Sequence, residues 1–74
     1  MEITVKLFAS LRKERFNFET KEFIQGASVS NVIDELNIPE NKVSIIFVNN
    51  RHADLKYELV DGDVLALFPP VGGG

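Results

Sequence analysis

The chain has 74 residues, with eight Lys/Arg, eleven Asp/Glu and a formal net charge of −3. That length allows one domain, near the lower limit at which a hydrophobic core alone sustains a fold, and the acidic balance excludes the basic footprint of a nucleic-acid binder. Cysteine is absent, which excludes disulfides, thiolate zinc sites and a cysteine nucleophile together, and fits a reducing cytoplasm.

In chain order, "MEITVKLFA" opens on an acidic residue and lacks a continuous apolar stretch, so no signal peptide is expected. Ile3, Val5 and Leu7 alternate with Glu2, Thr4, Lys6 and Phe8, which predicts a half-buried strand with Phe8 on its outer face. "LRKER" (Arg12, Lys13, Arg15) reads as a solvated basic loop. "RFNFETKEF" begins as a second strand with Phe16 and Phe18 in phase, and Phe23 out of phase marks a bulge or a strand end.

"GASVSNVIDELNIPE" predicts a helix with both ends marked. Ser28 caps its first N–H groups, and Val29, Val32, Ile33 and Leu36 recur at i, i+3, i+4 and i+7. Asn37 and the Ile38-Pro39 pair stop it, because the residue before proline is pushed out of the helical region. "SIIFVNN" reads as a strand buried on nearly both faces, closed by a turn at Asn49-Asn50, where Asn tolerates positive φ. "RHADLKYELVDGD" holds a short strand or irregular segment ending in the turn Asp61-Gly62-Asp63. "VLALF" is the last strand, with Leu65 and Leu67 inward and Val64, Ala66 and Phe68 outward, and Pro69-Pro70 ends it by removing two backbone donors. The longest apolar run, "VLALFPPV", is far shorter than the roughly 20 residues that cross a bilayer, so no membrane contact is expected.

Two opening strands, a helix across the sheet, then returning strands predict an α+β β-grasp, a ubiquitin-like roll with a mixed sheet of four to five strands. The domain is expected over residues 1–71, with 72–74 as a glycine tail.

Few residues offer independent chemistry. His52 is the only histidine and stands beside a turn, as surface residues do. No serine occupies a nucleophile-elbow context. Asp61 and Asp63 flank a glycine as turn residues, without the further ligands a calcium site needs, and no metal site is expected. "GGG" lacks the lysine of a phosphate loop.

The terminus is left. An α-carboxylate is ionised at neutral pH, and glycine as the last residue leaves it unhindered. Gly72, Gly73 and Gly74 could thread a channel too narrow for any Cβ, reaching about 10 Å when extended. Ordering three residues costs about 3–6 kcal/mol, which a docking surface must offset. Phe8 and Phe68 come close if the first and last strands pair, and burying two Phe side chains contributes roughly 3–6 kcal/mol.

"VKLFASLRKE", "GASVSNVIDEL", "VNN" and above all "DGDVLALFPPVGGG" resemble the MoaD/ThiS family of ubiquitin-like sulfur carriers over essentially the whole chain, and "FPPV" resembles the molybdopterin synthase small subunit. The resemblance implies that a ubiquitin-activating-like adenylyltransferase, using its own ATP, adenylates Gly74. A sulfur donor protein then converts it to a thiocarboxylate, and the molybdopterin synthase large subunit receives the tail, where sulfur passes to cyclic pyranopterin monophosphate. This chain would bind no cofactor alone and would act as the sulfur-donating subunit of a sulfurtransferase. Gly73 and Gly74 match the family's diglycine, and Gly72 stands where members vary. Phe8, Phe68, Pro69, Pro70 and Val71 match partner-facing positions, as does Arg12 at the "LR" position. Asn50 replaces the usual glycine of the turn, and His52 stands where an apolar contact residue is common. The same tail would equally serve a protein modifier joined to lysines through Gly74, or a carrier for thiamine or tRNA thiolation.

Overall fold

The computed structural model describes residues 1–70; Val71, Gly72, Gly73 and Gly74, and with them the expected boundary at residue 71, lie outside the described residues. The strands are β1 (Glu2–Leu7), β2 (Phe18–Glu22), β3 (Ile45–Val48), β4 (Arg51–His52) and β5 (Val64–Phe68), with one α-helix, α1 (Val29–Glu35), between β2 and β3. They form one mixed sheet in the order β2-β1-β5-β3-β4. The central β1–β5 pair is parallel and the other neighbours are antiparallel. This is the β-grasp that the order of elements predicts.

Alternation decides the faces. Ile3, Val5 and Leu7 of β1, Leu65 and Leu67 of β5, and Ile46 and Val48 of β3 turn to one side, where Val29, Val32 and Ile33 of α1 meet them in a single core. The helix starts in a reciprocal cap: the Asn31 N–H donates to Ser28 Oγ at 3.2 Å, and the Ser28 N–H donates to Asn31 Oδ1 at 2.9 Å. Its end is closed before the proline acts. Asn37 takes φ +59°, its N–H donates to Asp34 O at 3.0 Å, and the Ile38 N–H reaches back to Ile33 O at 3.1 Å. That left-handed closure uses the stranded carbonyls and turns Ile38 into the core.

Three expectations change. Phe16 precedes β2 and packs partly buried against the core, whereas Phe18 stands on the opposite face, 69% exposed. β2 then ends at Glu22, and Phe23 turns inward, the strand end that the change of phase marks. β3 is buried on its inner face only; Ile45 and Phe47 are half-buried, covered by neighbouring side chains rather than by a second layer. The basic segment is not wholly loop, because Ala9–Arg12 forms a 3-10 turn that drives Leu11 into the core.

Asn49 (φ +52°) and Asn50 (φ +68°) close the β3–β4 hairpin in two residues, the mirror-image turn that suits strand twist. Asp63 exceeds the turn role expected for it. It is 4% exposed, and its carboxylate accepts from Asn49 Nδ2 and from the Val60 N–H, both at 2.8 Å. Asn49 Oδ1 in turn accepts from the Val64 N–H at 2.9 Å. The start of β5 is therefore tied to the end of β3.

Candidate functional site: the open sheet face and the root of the tail

The face of the sheet away from α1 has no covering layer. Strand register lines up Phe18, Lys6, Ala66, Phe47 and His52 directly across all five strands. Beside that row, towards the end where β5 leaves the sheet, stand Phe8 and Phe68.

The two phenyl rings are stacked, with centroids 4.3 Å apart and planes 9° from parallel. Backbone bonds hold them there. The Phe8 N–H donates to Leu67 O at 3.2 Å, and the Ser44 N–H donates to Phe68 O at 2.8 Å. Ala9 then takes φ +53°, swinging the chain away into its 3-10 turn. Arg12 Nε donates to Leu7 O at 3.0 Å, and its guanidinium lies 5.7 Å from the centre of the Phe8 ring. Phe47 meets Phe68 edge-on at 5.8 Å and His52 at 4.5 Å. Phe8, Phe47 and Phe68 border a depression of about 320 Å³ that is lined also by Lys6, Asn50 and Ala66.

Phe68 is the last residue of β5 and stands opposite Ile45 of β3. Pro69 is half-buried and Pro70 exposed, and neither has an N–H to donate. Phe8 and Phe68 thus meet at one end of the open face, as expected from pairing of the first and last strands; Arg12 lies against Phe8, and Pro69 and Pro70 follow Phe68 in the chain. Val71, Gly72, Gly73 and Gly74 lie outside the described residues.

Sequence reasoning missed Phe47, which it placed in a strand buried on both faces, and the row from Phe18 through Lys6. The signal was present in β3: once Ile46 and Val48 are set inward, Ile45 and Phe47 must face outward. His52 is exposed, as expected, yet it belongs to this aromatic cluster. The surface offers rings, a methyl group and two cationic side chains, the makings of a docking face rather than of a catalytic pocket. Among the described residues, no group of three or more His, Asp or Glu side chains could hold a metal ion.

The ThiS family model matches residues 5–74. The chain belongs to the ThiS family of ubiquitin-like sulfur carriers. Among solved structures, it is similar to a putative molybdopterin converting factor, subunit 1, from Pyrococcus furiosus, with 32% identity, 96% of this chain and 99% of that chain covered, and a TM-score of 0.78. It is also similar to the protein–protein complex of subunits 1 and 2 of molybdopterin-converting factor from Helicobacter pylori, with 26% identity, full coverage of both chains and a TM-score of 0.65. Urm1 from Trypanosoma brucei shares the fold, with 16% identity, 99% and 95% coverage and a TM-score of 0.70. No curated protein matches the chain. No helix among the described residues of this family member is long and apolar enough to cross a membrane.

Proposed function

We propose that this chain is the sulfur-carrying small subunit of a molybdopterin synthase, with Gly74 as its working terminus. An activating enzyme joins the Gly74 carboxylate to AMP from ATP, releasing pyrophosphate. A sulfur donor then displaces AMP, leaving a thiocarboxylate that gives its sulfur to cyclic pyranopterin monophosphate inside the large subunit. The roles divide by residue. Gly74 carries the reactive group; Gly72 and Gly73 pass through the partner's channel; Phe8, Arg12, Phe68, Pro69, Pro70 and Val71 meet the partner. ATP belongs to the activating enzyme.

The observation that carries this reading is the placement of the tail's root. β5 ends at Phe68, opposite Ile45 of β3 and on the margin of an uncovered aromatic face, and the family model runs on through Gly74. A docking face beside the tail supplies the burial that ordering the glycines requires. Likeness to converting-factor subunits over almost the whole chain supports the choice of pathway, and the subunit 1–subunit 2 complex from H. pylori supports a large-subunit partner.

One added residue tests it. Appending alanine after Gly74 puts a methyl group and a displaced carboxylate where the channel expects neither, and molybdopterin formation in a reconstituted system is expected to fall to background. Undiminished formation would show that the terminus is not the sulfur carrier.

A further inference from the structure

β2 is an edge strand, paired with β1 on one side only. In the ladder to β1, the Leu7 N–H donates to Asn17 O and the Phe23 N–H to Met1 O, both at 2.8 Å. With the register Lys6↔Phe18, Val5↔Glu19, Thr4↔Thr20 and Ile3↔Lys21, these bonds turn the odd-numbered N–H and C=O groups of β2 inward. Those of Phe18, Thr20 and Glu22 therefore point out of the sheet. An outward row of this kind is a template for another strand.

We propose that this edge is a self-association site, at which β2 of a second copy adds antiparallel about a two-fold axis through Thr20. The strand is complementary to itself in charge in only one full-length register. With Thr20 opposite Thr20 of the second copy, the outward groups of Phe18, Thr20 and Glu22 form the hydrogen-bonded pairs. Glu19 then lies opposite Lys21 of the second copy, twice over, in the pairs whose side chains approach most closely. Sliding by two residues either way sets Glu19 against Glu19 or Lys21 against Lys21, and like charges directly opposite are unfavourable. Glu19 and Lys21 already meet at 3.3 Å within one chain, with side chains 49% and 39% exposed, so the dimer would close a ring of four alternating charges. Charges that guard an edge against arbitrary strands thereby select one partner, a second copy of this chain.

An isologous contact keeps both open faces on the same side of a ten-stranded sheet and sends the two β5 ends in opposite directions. Docking at the aromatic face and pairing at the β2 edge are therefore compatible, and the edge proposal stands whether or not the sulfur-carrier reading does. A five-residue strand pair is a small interface, so association is weak and concentration-dependent.

Sedimentation equilibrium of the full chain up to millimolar concentration tests it. The wild type is expected to show a monomer–dimer equilibrium, with the Thr20 amide gaining protection from hydrogen exchange as concentration rises. Glu19→Lys and Lys21→Glu each place like charges opposite one another, and each is expected to weaken self-association about tenfold or more. Mixing the two variants restores every opposite-charge pair, so the mixture should dimerise where neither does alone. A wild type monomeric at millimolar concentration would overturn the proposal, as would single variants that dimerise like the wild type.

Discussion

Asp63 joins two segments that are distant in sequence: it holds the nearby Val60 N–H and the Asn49 amide from the end of β3, and Asn49 in turn holds the first residue of β5. Replacing it with alanine leaves two partly buried donors without their acceptor. Asp63→Ala is expected to lower stability by about 2–3 kcal/mol, read as a drop in the urea midpoint at constant slope. This role was not legible in the sequence, because Asp-Gly-Asp is an ordinary turn signal and the partner amide sits fourteen residues away across the sheet. Phe68 was legible, since strand phase puts it outward and two prolines follow it. Its ring is stacked on Phe8 yet only half-buried, so the two consequences of removing it separate. Phe68→Ala is expected to weaken binding to the large subunit by tenfold or more, as central aromatic anchors do, while the folded fraction stays high. Calorimetric titration checks the first and circular dichroism the second; unchanged affinity would move the docking face elsewhere.

At the scale of elements, α1 is the part most fully written in local sequence: a capping serine, a 3.6-residue apolar period and an asparagine at the end. Its closing turn shows where local reading stops short. Asn37 and the Ile38-Pro39 pair both read as stops, but the helix is already closed by Asn37 in the left-handed region and by the backbone bonds of Asn37 and Ile38. Asn37→Ala is therefore expected to cost about 1–2 kcal/mol, and Asn37→Gly much less; equal effects of the two in a thermal melt would count against the strained closure. Ile33, fully buried between helix and sheet, is expected to cost about 2–5 kcal/mol when cut to alanine, a large fraction of a small domain's total. The misreading of β3 has a different origin. A continuous apolar run predicts burial on two faces, but here the outer residues are shielded by Phe68 and His52, which are brought in by other strands. His52 is close in sequence, but no local window contains the contact with Phe68.

For the whole molecule, the fold organises one exit. The parallel pairing of β1 with β5 brings the first and last strands together, so Phe8, just after β1, and Phe68, at the end of β5, flank the point where the chain departs. The β-grasp order was readable from the succession of alternating, helical and alternating periods, whereas the open face became visible only when register aligned side chains from all five strands. Stability and function should therefore come apart: deleting Gly73 and Gly74 is expected to leave the unfolding midpoint unchanged while abolishing sulfur transfer. The most direct measurement is intact-mass spectrometry of the full chain after incubation with ATP, sulfide and its activating enzyme. A mass gain equal to one sulfur-for-oxygen exchange, assigned by fragmentation to Gly74, is the result predicted here. An unmodified terminus under conditions in which the same enzyme charges a known ThiS-family carrier would contradict it.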